Sequence, residues 1–467
     1  MPNVSLNLDE NIRIINEYMK PEQSFDLVYR NILVGERNAC FLVVDGFCKD
    51  ELMQKILQYL MDLKKEDLNV DMDRLLERFI PYVEVEKEQD FEKIETMILS
   101  GMFALFVDGF DHCILIDARE YPSRSIGEPD KDKALRGSKD GFVETLIFNT
   151  ALIRRRIRSS ALRMEHQTVG SVSKTDVVMC YMDDRVDRKL LETIRQRMSR
   201  IRVESLTMNQ QSLAECLLPH KWINPFPKYR FTERPDTAAA QIMEGNVILL
   251  VDNSPQAIIT PVALWDLMEE ADDYYFPPIT GTYLRWTRLF IMVINYLITP
   301  LYLLFAQHPE WVGNTFRFII LEEEVNIPII WQFLMLEIAI DGLRLAAVNT
   351  PNMLSTPLSV MAALVLGEFA VSSGWFSYPV MLYMAFVAIA GFTNANYELG
   401  YAVKFMRIIT LILTALFDVW GFIAGVIINL LCLAGNRVLG GYSYLRPLIP
   451  FHGRKLMRVL FRRRLKG

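Results

Sequence analysis

The sequence predicts an α/β cytosolic N-terminal part of two subdomains, followed by an all-α polytopic membrane domain. Three observations carry this. Charge thins out abruptly: of 50 Lys/Arg and 56 Asp/Glu in 467 residues, residues 284–467 hold 15 and 9, leaving 35 and 47 in residues 1–283. The first part is therefore −12 and the second +6. Long uncharged runs occur only beyond Arg288, and strand-then-helix signals recur before it.

Residues 1–24 read as an N-terminal extension. They have no basic flank followed by an apolar core, so residues 1–283 are expected to stay in the cytoplasm. Residues 25–150 and 151–283 read as two α/β subdomains. In the first, the apolar run from Phe41 is followed by Asp45-Gly46 and an amphipathic stretch to Ile56, and the run from Val177 to Ile194 repeats that order. Asp183 or Asp184 suits the cap of the second helix. Met102–Val107 and Cys113–Asp117 read as strands, 120–141 as a polar connection, and Phe142–Leu162 as a helix carrying Arg154-Arg155-Arg156-Ile-Arg158. Pro235 starts a helix that Gly245 ends. Val247–Val251 is then a strand and Asp252-Asn-Ser-Pro255 a turn. The arginine cluster sits in an acidic part without interleaved aromatics, which argues for a subunit or subdomain contact and against nucleic acid. Arg234, before Pro235 and beside Glu233, is expected in a buried Glu–Arg pair that sets a domain angle.

Residues 284–450 read as the membrane domain. The 21 uncharged residues between Arg288 and Glu310 match the ~20 needed to cross ~30 Å of hydrocarbon. Four spans are expected, at about 289–307, 352–371, 376–394 and 408–434. Residues 327–348 carry Glu337, Asp341 and Arg344 on one helical face and Ile330, Leu334, Ile338 and Leu345 on another, which suits an interfacial helix. The basic tail at 451–467 places the C-terminus in the cytoplasm by the positive-inside rule, and both termini on one side require an even number of crossings.

Carboxylates among apolar neighbours mark an ion pathway, because burying charge against lipid is costly. Glu337, Asp341, Glu368 and Asp418 are the candidates, against a structural reading in which they pair with Arg344, Arg407 or Lys404. Gly421-Phe-Ile-Ala-Gly425 is a small-xxx-small pattern for close helix packing. No nucleotide-loop, nucleophile-elbow or paired-histidine motif is present, so no catalytic residue is assigned. Cysteines 40, 48, 113, 180, 216 and 432 include no Cys-x-x-Cys pair. Neither a metal site nor a disulfide framework is suggested, and no cofactor is expected.

Six phrases, in order, resemble the A subunits of the GerA family of spore germinant receptors. They are Arg136-Gly137-Ser-Lys-Asp-Gly-Phe-Val-Glu144, Asn149 to Ile157, Phe226-Pro, Thr232-Glu233-Arg234-Pro235-Asp236, Glu244 to Asp252-Asn-Ser-Pro255, and Asp272-Asp-Tyr-Tyr275 with Arg285 and Arg288. The resemblance runs over about residues 25–450. Leu336 to Pro351, Leu354-Ser-Thr-Pro357 and Asn396-Tyr-Glu-Leu399 look closer to a sporulation-protein branch of that family than to the nutrient receptors. The resemblance implies an oligomeric protein of the spore inner membrane, arranged as a ring. It implies a multi-span B-subunit-like partner and other germinant receptor subunits. It also implies forming or supporting a cation channel during germination, or, as the alternative, a non-conducting scaffold for other germination proteins. Arg136, Gly137, Arg154–Arg156, Glu233–Asp236, Asp252 and Pro255 are then architectural.

Overall fold

A computed structural model describes residues 2–47, 50–68, 70–80, 82–120, 136–218, 224–313, 315, 326–349 and 369–462. It forms two compact units, Met1–His220 with Tyr229–Pro261, and Lys221–Lys228 with Val262–Gly467.

The first unit holds two five-stranded antiparallel sheets. β1 (Leu27–Val34), β2 (Arg37–Val44), β3 (Val85–Glu88), β4 (Phe103–Val107) and β5 (Cys113–Ile116) are ordered β1-β2-β4-β5-β3. β6 (Leu162–Val169), β7 (Thr175–Met182), β8 (Arg230–Thr232), β9 (Val247–Val251) and β10 (Ala257–Thr260) are ordered β6-β7-β9-β10-β8. Each strand of the second sheet takes the place of the strand five earlier, so the repeat glimpsed at Phe41 and Val177 is a repeat of whole sheets. The β1–β2 turn is two residues, Gly35 and Glu36, both at positive φ. That is the combination whose twist matches an antiparallel hairpin.

Strand alternation divides the first sheet's side chains between two cores. Cys40, Leu42, Val44, Ala104 and Phe106 face one core with α1 (Leu8–Tyr18) and α4 (Phe91–Leu99). Ala39, Phe41, Val43, Phe103 and Leu105 face the other with α2 (Asp50–Met61) and α3 (Met72–Phe79). Residues 1–24 are therefore part of this domain and no extension: Leu8, Ile14 and Ile15 are buried in its core. α5 (Leu146–Arg156) is shorter than the helix expected over Phe142–Leu162, because β6 starts at Leu162. The division at 150/151 falls inside it, and α5 serves both sheets: Ala151 packs into the first sheet's core with α1 and α4, Leu152 and Ile153 into the core of the second sheet with Leu162, Val178 and Leu250. α6 (Arg188–Ser199) is capped by Asp187, which accepts from the Lys189 amide, and not by Asp183 or Asp184. α7 (Asn209–Leu217) follows. α8 (Pro235–Met243) starts on proline as expected, with Gly245 beyond it at φ 96°.

The second unit begins at Val262, so residues 262–283 belong with the helices and not with the second subdomain. Its helices are α9 (Asp272–Tyr275), α10 (Pro278–Gln307), α11 (Ile329–Asn349), α12 (Tyr378–Phe392), α13 (Tyr397–Gly435) and α14 (Gly453–Leu460). Among the described residues, α10 and α13 are long and apolar enough to cross a membrane, and α12 is a shorter apolar helix. Large apolar side chains stand outward on them, Phe290, Leu382, Ile389 and Trp420 among them, each more than 60% exposed. An aqueous surface rarely carries so much contiguous apolar area. The expected span 352–371 lies almost wholly outside the described residues.

Two expectations change here. α11 does not turn its charged face to water: Glu337 is buried while Trp331, Ile338 and Leu345 point outward. And 408–434 is not one straight span. α13 leaves helical geometry at Asp418 (φ 53°, ψ −132°) and doubles back. Gly421 lies against the Leu413 carbonyl, and a Cβ at Gly425 would stand 2.7 Å from the Thr410 Cα. In a straight helix residues eight or more apart would be about 12 Å or further from each other. The arms 397–417 and 419–435 are thus an antiparallel helical hairpin, and the Gly421/Gly425 pattern closes this hairpin from inside one chain.

Candidate functional site

The second unit holds a charged cluster among apolar helices. α11 supplies Glu337 and Asp341, one turn apart on the face that meets α13. α13 supplies Lys404 and Arg407, three residues apart, and α10 supplies Asn295. Arg407 donates to Glu337 Oε1 from Nε at 3.1 Å and from Nη2 at 2.5 Å. Its Nη1 donates to the Asn295 carbonyl at 3.1 Å and to Asn295 Oδ1 at 2.5 Å. Lys404 Nζ lies 3.2 Å from Glu337 Oε2 and 2.5 Å from Asp341 Oδ2. The Glu337 and Arg407 side chains are 6% and 3% exposed, that of Asp341 33%. Two carboxylates against two cations make the cluster neutral, which is what allows it to be buried.

Beside it is a cavity of about 30 Å³ lined by Asn295, Asp341, Arg344, Tyr397 and Tyr401 among others, room for a few waters. Asp341 Oδ1 and Arg344 Nε are buried without a partner. Arg344 instead lies over the Phe392 ring at 4.8 Å, and Gly391 leaves the room its guanidinium takes. So Glu337 and Asp341 are brought together, with Lys404 and Arg407 as partners and Arg344 apart. Asp418 is elsewhere. It sits at the hairpin tip, 46% exposed, 2.6 Å from His308 Nε2, and is paired with neither Lys404 nor Arg407. His308 stacks on Trp311 at 4.3 Å. Glu368 lies outside the described residues. Among those described, no group of three or more His, Cys, Asp or Glu is placed to hold a metal ion.

Four of the six family phrases meet in the first unit; Phe226-Pro and the Asp272–Tyr275 phrase with Arg285 and Arg288 belong to the second. Arg154 is fully buried and donates to Asp26 from Nε at 2.5 Å and from Nη2 at 3.0 Å, with Nη1 on the Ser159 carbonyl at 3.0 Å. Asp26 precedes β1 and Arg154 lies on α5, so the pair ties one sheet to the other, a subdomain contact. Arg156 reaches Asp140 at 2.6 Å and Ser138 Oγ at 2.9 Å, while Arg155 is exposed. Burial opposes ionisation of Asp140, but Arg156 and Ser138 outweigh it and hold its carboxyl below the ordinary range. Arg234 is buried as expected, but its partner is Asp236, at 3.1 and 2.7 Å, with the Ser138 carbonyl at 3.0 Å. Glu233 instead accepts from Gln256 at 2.9 Å. Asp252 accepts from the Leu146 amide at the start of α5, and Asn149 donates to the Ser254 carbonyl beside Pro255. Arg136 and Gly137 are exposed, immediately before Ser138. Phrases more than a hundred residues apart thus converge on the 136–145 loop and α5.

Sequence reasoning missed Asn295 and His308, whose charged partners Arg407 and Asp418 lie more than 100 positions away. The network of Arg285 and Arg288 is likewise invisible in the chain order. Arg285 binds Glu269 at 3.0 Å and Asp273 at 3.4 Å, and Arg288 binds Glu270 at 2.8 Å and also Asp273.

A family described as Bacillus/Clostridium GerA spore germination protein matches residues 13–467. The chain is similar to stage V sporulation protein AF of Bacillus subtilis (strain 168), 36% identical over 97% of this chain and 94% of that protein. It is similar to spore germination protein KA of the same organism, 28% identical over 94% and 81%. Among solved structures, the N-terminal domain of the A subunit of the Bacillus megaterium spore germinant receptor GerK3 matches at 27% identity. The match covers 56% of this chain and 96% of that one, with a TM-score of 0.43.

Proposed function

The chain belongs to the GerA family of spore germination proteins, and from that premise we propose that it is an A-subunit-type membrane subunit of a germination complex. The unit of residues 1–220 and 229–261 forms the cytosolic part and the helical unit lies in the spore inner membrane, both termini on the spore-core side. It assembles as a homo-oligomeric ring with a B-subunit-like multi-span partner and with other germinant receptor subunits. There it forms or supports a cation-conducting path. No catalytic role is assigned.

The observation that carries this reading is the buried Glu337–Arg407–Lys404–Asp341 cluster beside a polar cavity. Charge inside an apolar helical unit is costly and is kept where ions or water pass. Within it Asp341 is the group available to a cation, because one of its oxygens is unpartnered and it is partly exposed. Glu337 is committed to two cations and serves as the wall.

A second reading is favoured by the pairing itself. With Glu337 neutralised by Arg407, Asp341 by Lys404 and Asp418 beside His308, the charges would hold helices together and the protein would be a scaffold. Asp341→Asn separates the two. Under the conduction reading the complex assembles normally while cation release from germinating spores, or flux in liposomes, falls. Normal flux through a correctly assembled variant leaves the scaffold. Topology is checked independently: cysteines at Lys20 and Lys466 should both resist an impermeant thiol reagent, and labelling of one alone overturns it.

A further inference from the structure

We infer that α14, together with the base of α10, is a docking surface for the headgroups of anionic phospholipids. This rests on the membrane reading above.

Among the described residues, α14 is held along one side. Val459 and Leu460 line a small cavity with Trp265, Trp286 and Leu289. Arg285 Nη1 donates to the Val459 carbonyl at 2.8 Å, the Arg462 amide donates to Thr282 Oγ1 at 3.1 Å, and the Phe461 ring lies 6.0 Å from that of Trp286. These contacts hold α14 alongside the first turns of α10, where that apolar helix begins.

Among the described residues nothing covers the other side. No residue of α14 is fully buried. Arg454, Lys455 and Arg458 are exposed and make no ion pair among the described residues. At 100° per residue they occupy one sector of about 100°, bordered on one side by the exposed Met457. The nearby carboxylates Glu269, Glu270 and Asp273 are taken by Arg285 and Arg288, so they do not neutralise α14. On α10, Ile279, Tyr283, Trp286 and Phe290 form an exposed stripe at helical spacing.

Each part suits the boundary of a bilayer. Tyr and Trp concentrate where hydrocarbon meets headgroups. A helix with basic residues beside exposed Met and Phe lies in that plane, its apolar groups in the acyl boundary and its cations among phosphates. A purely electrostatic partner would not require the exposed Phe451 and Met457, and a purely apolar one would leave three cations unmatched. An anionic phosphodiester headgroup satisfies both. Each Lys or Arg near such a surface strengthens binding about fivefold.

The full chain in nanodiscs tests this, with phosphatidylcholine alone or with about one-third phosphatidylglycerol. The readout is hydrogen exchange of the amides at 453–462. Exchange should slow by about tenfold or more when phosphatidylglycerol is present. Arg454→Gln/Lys455→Gln/Arg458→Gln should close that gap, at about fivefold per charge, while α10 stays protected. Equal exchange in both lipids, or a gap untouched in the triple variant, overturns the proposal. Slow exchange in detergent as well would mean that a second copy of the chain covers α14, which also overturns it. Loss of protection along α10 would instead mark failure of the membrane reading.

Discussion

Substituting Glu337 with Gln removes one charge from a neutral buried cluster, and the consequence can be worked out from the contacts. Glu337 receives two hydrogen bonds from Arg407 and an ion pair from Lys404. Without its charge, Lys404 keeps Asp341, but Arg407 keeps only Asn295. Breaking one partner of a buried pair costs about 3–5 kcal/mol. Glutamine retains one accepting oxygen, so the lower end, about 3 kcal/mol, is expected. Replacing both Glu337 and Arg407 with Leu removes the two opposite charges together and leaves Lys404 with Asp341. That double variant should be more stable than the sum of the single Leu variants by at least about 1.5 kcal/mol. The assay is thermal unfolding of the detergent-solubilised chain, followed by monodispersity, for the parent, Glu337→Gln, the two single Leu variants and the double one. Parent-like stability of Glu337→Gln, or strictly additive losses in the Leu cycle, would refute the pairing as a structural element and with it the assignment of Glu337 as wall.

Other expectations follow from the same contacts. Gly425→Ala puts a methyl 2.7 Å from Thr410 backbone and side-chain atoms, so the hairpin arms must part; a loss of about 1–3 kcal/mol is expected, with Gly421→Ala worse because it meets a carbonyl. Abundance and thermal stability in detergent check both. Asp26→Ala strands the fully buried Arg154 and should lower stability by about 3–5 kcal/mol, seen as reduced protein level, while Arg155→Ala on the exposed side should change little. The Asp140–Arg156 contact has a definite pH sign. Its native pKa lies below the unfolded value, so its contribution is complete above the unfolded carboxylate pKa and is lost as pH falls through the depressed native one. Asp140→Asn should therefore flatten the acid limb of the stability–pH curve below about pH 4 and leave the neutral region parallel. Burial pushes the Cys40 thiol to about 11, so under native conditions a maleimide should modify Cys216, which is partly exposed, and spare Cys40.

Features set by local chemistry are legible in the order of residues alone. Val247–Val251 and Cys113–Ile116 are strands because their apolar runs are short and bounded by turns. α8 starts at Pro235 because proline there loses no hydrogen bond it needs. The change of charge density near residue 284 marked the apolar unit, since hydropathy depends on composition and not on contacts. The ordered phrases carried the family for the same reason. Tertiary structure alone decided who faces whom. Helical spacing put Glu337, Asp341 and Arg344 on one face, but not whether that face meets water or α13; Lys404 and Arg407, more than sixty residues on, settle it by supplying the opposite charge. Arg234 sits next to Glu233 in the chain yet turns to Asp236 and the Ser138 carbonyl, because its direction is set by the 136–145 loop. Asp418 read as one polar residue within a long span. It is instead the turn of a hairpin, possible because Gly421 and Gly425 let backbones touch eight and fifteen residues apart, a contact no local period encodes.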